Sequence, residues 1–439
     1  MTASHPAPTP APVPAAPEIR TLVEHELPAW LTALNTGFQM RPTVTDSDVA
    51  QRAKQDDLTR DQGAWDPVTG RIVATFRSFT QELTVPGGAR ITSSAISNVT
   101  VHSTHRRRGL LSRMMAAELA AARERGDAVA TLIAAEHPIY GRYGFGPATS
   151  LVDWEVDVHR TGLDRSRPAA TEPGARIDLV DPAEVRRVGP ELHERLRAVT
   201  PGAVNRDARW WDLATGVQEM SFRPYPHPFF AVYTGPDGRV DGLVSYTVGD
   251  TWSDAKMPGN TLTVRDLIAL TPGAERGLWH HLCTMDWIGA VRTGSRAPDD
   301  LLPDLLPDPR AARTVTAADG LWLRVLDVPA ALSARTYAAA GTLVLTVTDA
   351  AGIAHGTWRL EVPEAGGRGT CVPVAPGEEE EAGAGLRLDV SELSARYLGE
   401  GSFTRAVALG RVEELRPGAA AWADLAFRTA RRPWCPDMF

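Results

Sequence analysis

Apolar positions along this chain follow two rhythms. From Leu22 to Phe38 they recur at three- and four-residue intervals, which predicts a helix. Arg71–Phe79 and Gln81–Val85 read as two strands, with a Pro86-Gly87-Gly88 turn after Val85. Ala95–Val101 is a further apolar, β-rich run. Leu110–Glu124 is amphipathic, with Leu111, Met114, Met115, Leu119 and Ala122 on one face. Ala128–Ala134 reads as a buried strand and Ser150–Val158 as an alternating one. Strand, loop, helix, strand is an α/β unit.

A second mixed region starts near Glu172. It holds the run Arg176–Leu179, a helix with Trp210 and Trp211, and strands at Phe229–Tyr233 and Val240–Val248. Arg265–Leu270 leads into a helix running through Leu278, His281 and Trp287. The stretch Leu267–Leu282 echoes Val99–Leu111: each reads strand, short loop, Arg-Gly-Leu, helix. This suggests an internal duplication whose second copy has lost most loop cations. Pro303, Pro307 and Pro309 mark a linker. A third region starts near Leu321-Trp-Leu-Arg-Val-Leu. It has strand-like runs at Gly341–Thr348, Gly356–Val362 and Leu386–Val390, then helices at Ser391–Leu398 and near Pro417–Ala430. The run Glu378–Glu381 reads as a solvated loop, because like charges repel.

Composition narrows the function classes. With 439 residues the chain is long enough for two to four domains. Its formal net charge of -8 argues against nucleic acid as a partner, since phosphate binding favours a basic domain. The same charge permits a cationic substrate. Three widely spaced cysteines, Cys283, Cys371 and Cys435, offer neither a disulfide framework nor metal-ligand spacing, and fit a reducing cytoplasm. No metal is expected. The Pro/Ala-rich residues 1–18 read as a disordered leader without the features of a signal peptide. No apolar run is long enough for a transmembrane helix, so no membrane partner is expected.

The chemistry concentrates in two segments. In the first, Arg106, Arg107 and Arg108 stand where a helix begins. Cations are unfavourable there because helix N-termini are themselves positive. A bound anion reverses that sign, and the exposed amides of the first turn also favour phosphate. Gly109 lets the backbone come close. The segment therefore reads as a pyrophosphate cradle, or else as a solvated basic patch. The second segment runs from Ala134 to Thr149. Tyr140, after a strand that would lie beside Val99–Val101, could give a proton to a thiolate; the alternative is an aromatic packed in a turn.

Together these strings resemble the GNAT acetyltransferases, and within them the Eis (enhanced intracellular survival) family of actinobacteria. The residues that carry the resemblance are Val99, Val101, Thr104-His-Arg-Arg-Arg-Gly-Leu-Leu111 and Ile139-Tyr-Gly-Arg-Tyr-Gly-Phe-Gly-Pro-Ala-Thr149. Thr84-Val-Pro-Gly-Gly88 and Asp319–Leu332 add to them. The likeness is spread from about Ile19 to Phe439. It implies an α/β chain with an N-terminal GNAT domain (19–165), a degenerate second GNAT domain (166–311) and a sterol-carrier-protein-like domain (312–439). It implies a homo-hexamer that uses acetyl-CoA to acetylate amines of aminoglycosides at several positions, and also lysine side chains or arylalkylamines.

By the same resemblance, Val99 and Val101 hold the pantetheine arm through their backbones. Arg106, Arg107, Gly109 and Leu110 surround the pyrophosphate. Tyr140 is the general acid. The general base is the C-terminal carboxylate, here of Phe439, on a tail folded back into the first domain. Three positions depart from the expected pattern. Leu111 stands where the general GNAT loop has a small residue, though the Eis-like subset tolerates leucine; Ala135 replaces a serine that often contacts the cofactor, and Met438 a glutamate. Read without the resemblance, Phe439 is a frayed chain end. The competing function is an acyl-CoA sensor or lipid-binding protein without turnover.

Overall fold

The structure is a computed structural model and describes residues 16–55, 57–166, 172–220, 224–254, 256, 258–375, 377 and 383–439. Residues 1–15 of the Pro/Ala leader and the run Glu378–Glu381 lie outside these residues. The chain forms two compact units. One comprises the residues up to Phe79 with Ile96–Glu118; the other comprises Thr80–Ala95 with Leu119–Phe439.

In the first unit, strand Glu18–Thr21 pairs antiparallel with Asp61–Trp65, which pairs antiparallel with the first half of Ile72–Thr84. The helix that the spacing predicts spans Leu27–Gly37 and is entered through a short 3-10 turn, Glu24–Glu26, with Pro28 in its first turn. Pro is tolerated there because the missing N–H has no partner in a first turn anyway. Its buried face, Leu27, Trp30, Leu31, Ala33 and Leu34, packs with Leu22 and Ile72. The Trp30 indole donates to the Gln62 carbonyl (2.9 Å), so the largest core side chain leaves no orphan donor. The helix ends against a strand: a Cβ on Gly37 would overlap the Thr100 side chain.

The second unit holds most of the three sheets. The first contains Val129–Ile133, Leu321–Val325 and Gly146–Pro147 in that order. The second runs Arg176–Val180, Phe229–Thr234, Val240–Val248, Asn260–Ala269, Ile288–Arg292, Ser150–Asp157, Ala312–Asp319. Helices Pro182–Arg197 and Pro272–Thr284 pack on it through separate apolar clusters. The third sheet comprises Thr370–Pro373, Gly356–Val362, Gly341–Thr348, Leu386–Asp389 and Val412–Glu414, covered by Val390–Arg396, Phe403–Ala408 and Ala419–Phe427.

Several sequence expectations need correction. Arg71–Phe79 and Gln81–Val85 are one strand, Ile72–Thr84: Thr80 is polar but sits within a continuous ladder. The helix after Arg265–Leu270 stops at Thr284, and Trp287 lies beyond it in the left-handed region (φ 69°), two-thirds exposed. The expected linker is ordered: Leu302–Leu305 is a helical turn and Pro309–Ala311 a 3-10 turn. Leu321–Val325 follows the second region in sequence but is a central strand beside Val129–Ile133. Arg324 on it is fully buried and paired with Asp349 (2.7 Å).

Two glycines of the Tyr140 segment are explained by close neighbours, one of them that arginine. Gly144 has φ 80°, and a Cβ there would fall on the Arg324 guanidinium; one on Gly146 would fall on the Ser391 carbonyl. Gly144→Ala is therefore expected to cost about 2 kcal/mol or more, from left-handed strain plus displacement of a buried ion pair. A thermal melt should show a clear drop in midpoint; an unchanged midpoint would contradict this packing.

Candidate active site

The strand Arg90–Val101 carries a local break. Asn98 is left-handed (φ 54°), a conformation that a bulge or kink requires. Thr75 fixes it: its hydroxyl donates to the Asn98 carbonyl (2.9 Å) and lies 2.7 Å from the Thr100 hydroxyl, which leaves Thr100 as the donor of that pair. Val99 and Val101 follow the kink and are half-buried.

After Val101 the chain makes a 3-10 turn, Ser103–His105, then enters helix Leu110–Arg125. Arg106, Arg107 and Arg108 are all exposed. Arg107 (φ 63°) and Gly109 (φ 72°) are both left-handed, so the loop reverses twice before the helix starts. A Cβ on Gly109 would meet nothing, so conformation, not crowding, calls for glycine here. Among the described residues, the amides of Arg107, Arg108, Gly109 and Leu110 donate to no backbone acceptor. Leu110 is buried and starts the helix; Arg113 one turn on donates to the Pro17 carbonyl (3.2 Å). Unsatisfied amides, a positive helix end and three exposed arginines, of which Arg108 donates to the Thr104 carbonyl (3.4 Å), make an anion cradle. These residues fit a pyrophosphate.

The second copy of this motif is closed. Strand Asn260–Ala269 again leads into a helix, Pro272–Thr284, but Thr271 caps it, accepting from Ala274 N (3.1 Å). A Cβ on Gly273 would strike the Glu172 carboxylate, which accepts from Arg276 (2.9 Å) and the Tyr233 hydroxyl (3.0 Å). An internal carboxylate already satisfies the groups that a phosphate would need.

Tyr140 ends a short helix, His137–Tyr140, after strand Val129–Ile133; Ala135 is exposed in the bend between them. The His137 ring meets Trp322 edge-on (4.9 Å between centroids), and Tyr140 meets Phe145 likewise (6.3 Å). Tyr140 is buried and its hydroxyl makes no hydrogen bond to a described residue. Burial, reinforced by Glu136 and Tyr143, pushes its phenol up to about 12. It is thus a proton holder at any working pH. Full transfer to a thiolate of pKa ~8.5 would be strongly uphill. Its action is therefore that of a hydrogen-bond donor to developing charge.

The last six residues are docked rather than frayed. The Trp434 amide donates to the Pro201 carbonyl (2.8 Å), and Arg296 stacks over the indole (4.9 Å). Asp437 accepts from Arg206 Nε (2.8 Å), while both Arg206 Nη atoms bind Asp266 (2.8 and 2.9 Å). Phe439 is half-buried and packs on the large apolar cluster of this unit. Beside the tail, Trp210, Trp211, Tyr225, Phe230, Glu219 and Met438 line part of a cavity of about 300 Å³. Burial, helped by Glu219, raises the Tyr225 phenol. Aromatic walls with carboxylates at hand suit a cation. Sequence reading placed Trp210 and Trp211 only on a helix; the apolar tail was the one sign that something held it.

Among the described residues no cluster of His, Cys, Asp and Glu could hold a metal ion, and no helix is long and apolar enough to cross a membrane.

A cradle for a phosphate-bearing ligand on a kinked strand, repeated in closed form, defines the class: residues 18–148 and 202–325 each match the acetyltransferase (GNAT) domain, and 328–436 the sterol carrier protein domain. An uncharacterized N-acetyltransferase of Streptomyces avermitilis is 58% identical over 96% of this chain and 98% of its own length. N-acetyltransferase Eis of Mycobacterium tuberculosis is 36% identical over 72% of this chain and 73% of its own. The crystal structure of Eis1 from Mycobacterium abscessus superposes with a TM-score of 0.78 at 31% identity, covering 96% of this chain and all of that one. The chain belongs to the Eis-like family of GNAT N-acetyltransferases. It is an enzyme of N-acetyl transfer.

Arg106→Ala and Arg107→Ala should each weaken acetyl-CoA binding by about tenfold, consistent with loss of one charge-assisted contact. Calorimetric titration at two salt concentrations checks this: the wild-type affinity should fall with salt more steeply than that of either variant. Equal affinities would remove the arginines from the cradle.

Proposed function

We propose that the enzyme acetylates primary amines of cationic small molecules, aminoglycosides foremost, with acetyl-CoA as donor, by direct transfer. The observation that carries this reading is the cradle of open amides and guanidinium groups at Arg106–Leu110 on a kinked strand, a donor set suited to a pyrophosphate. Bound acetyl-CoA would supply the acetyl group as a thioester. Val99 and Val101 hold the extended arm through their backbones, as an added strand would; the Val99 amide also polarises the thioester oxygen. Arg106, Arg107, Gly109 and Leu110 hold the pyrophosphate, and Ala135 stands where the family often has a serine that contacts the cofactor.

The remaining groups handle protons. The Phe439 carboxylate accepts the proton that the attacking amine must lose. The Tyr140 hydroxyl stays protonated and donates a hydrogen bond to the departing sulfur as negative charge develops there, so that coenzyme A leaves as the thiolate. The aromatic cavity at Trp210, Tyr225 and Glu219 takes the acceptor, with the Glu219 carboxylate drawing an ammonium group of a polycation. Lysine side chains and arylalkylamines present the same ammonium on an apolar stem and are the secondary acceptors. The family likeness supports a homo-hexamer.

Thiol release from acetyl-CoA, followed with a panel of aminoglycosides, lysine peptides and arylalkylamines, tests the reading. Turnover is expected with at least one aminoglycoside, and Tyr140→Phe should reduce kcat by about 10²-fold or more, the scale of a lost acid–base group. Tight acetyl-CoA binding without thiol release across the panel would favour the sensor. Glu219→Gln should raise the amine KM several-fold with little change in acetyl-CoA affinity; an unchanged KM would take the acceptor out of this cavity. Because the Tyr140 phenol lies near 12, kcat should show no falling limb from this group below about pH 10. A limb that vanishes in Tyr140→Phe would show that the phenol ionises earlier.

A further inference from the structure

We propose that Arg206 and Asp437 form a positioning clamp that fixes the chain end, so that Asp437 sets where the Phe439 carboxylate stands. The inference rests on the reading of that carboxylate as the general base.

Arg206 uses its whole fork. Nη1 and Nη2 bind the two oxygens of Asp266 on strand Asn260–Ala269, and Nε alone is left for Asp437. The guanidinium is stacked 3.6 Å from the Trp210 ring and has 1% side-chain exposure. Asp207, the next residue, caps helix Ala208–Ala214, and Trp210 sits in its first turn. The socket is thus built from a strand and a helix start, independently of the tail. A lysine could not replace this geometry, because it lacks the planar fork.

Distance along the chain gives the clamp its purpose. An extended residue spans about 3.5 Å. Held only at Trp434, the terminal carboxylate could range over about 17 Å; held at Asp437, two residues of slack leave about 7 Å. The electrostatics say the contact is not there merely for stability. Asp266 already neutralises Arg206, so the second carboxylate leaves the buried group net negative. Burial pushes Asp437 up to about 6 despite Arg206, and its Oδ2 is buried without a well-formed hydrogen bond. A tail that needed only packing would be held better by an apolar side chain at this position.

Two readouts on the full-length enzyme test the clamp: the rate at which carboxypeptidase A releases Phe439, and kcat with KM for acetyl-CoA. Asp437→Ala should release Phe439 at least tenfold faster and lose at least tenfold in kcat, with KM for acetyl-CoA within twofold. Asp437→Asn keeps an acceptor for Arg206 Nε and should stay within threefold of wild type in both readouts. Wild-type release and kcat in Asp437→Ala would overturn the proposal, as would an Asn variant as impaired as Ala. Where Asp437→Ala does not fold, Asp437→Glu, which keeps the charge on a longer arm, gives the same decision: faster release and lower kcat support the clamp, wild-type values refute it. A chain lacking Phe439 separates the two ideas. Undiminished kcat there would refute the base reading alone, and the carboxypeptidase rates would still decide the clamp.

Discussion

A guanidinium sealed from water must find its charge partners inside the protein. Stranding such a charge costs about 3–5 kcal/mol, so the burial of Arg206 commits it to Asp266, and Asp437 joins the same socket through the remaining Nε. Asp266 lies 60 residues away in sequence and Asp437 lies 231. The end of the chain is thereby tied to the sheet of the second GNAT domain. The third domain is covalently fixed between them, and its core merges with Leu83, Val85 and Val129 of the first domain through the strand Leu321–Val325. The sterol-carrier-like domain in this account delivers a tail; nothing in its packed interior need bind a lipid.

The two GNAT copies show how little sequence separates a binding site from its remnant. Both feed a strand into a helix. In the first, two left-handed residues and three arginines keep the amides open. In the second, a threonine cap and the Glu172 carboxylate fill the same position with the chain's own groups. The second copy thus keeps the fold while the chain's own groups occupy its helix start, and that domain holds the aromatic cavity and the Arg206 socket.

What could be read from the sequence was local. The helix Leu110–Arg125 and the cationic loop before it follow from periodicity and helix-end electrostatics, and the Gly-aromatic string around Tyr140 is conspicuous in itself. The structure puts a reason behind Gly144 and Gly146, since Arg324 and Ser391 come too close for a side chain. What escaped was long-range. Leu321–Val325 reads as the start of a new region because chain order says nothing about sheet order. Thr80 hides the continuity of Ile72–Thr84, because one polar residue in a ladder looks like a break. Arg206 and Asp437 carry no local pattern at all; only the apolar Trp434–Phe439 segment hinted that the tail was held.

The central claim is that the Phe439 α-carboxylate, and not a side chain, takes the proton from the amine. A semisynthetic enzyme with Phe439 converted to its carboxamide tests it most directly, because every side chain and the length of the tail are kept while the charge is removed. Single-turnover thiol release with saturating amine is the measurement. The account predicts at least a hundredfold slower release, the scale of a lost general base, with acetyl-CoA affinity unchanged. A carboxamide enzyme that turns over at the wild-type rate would contradict it.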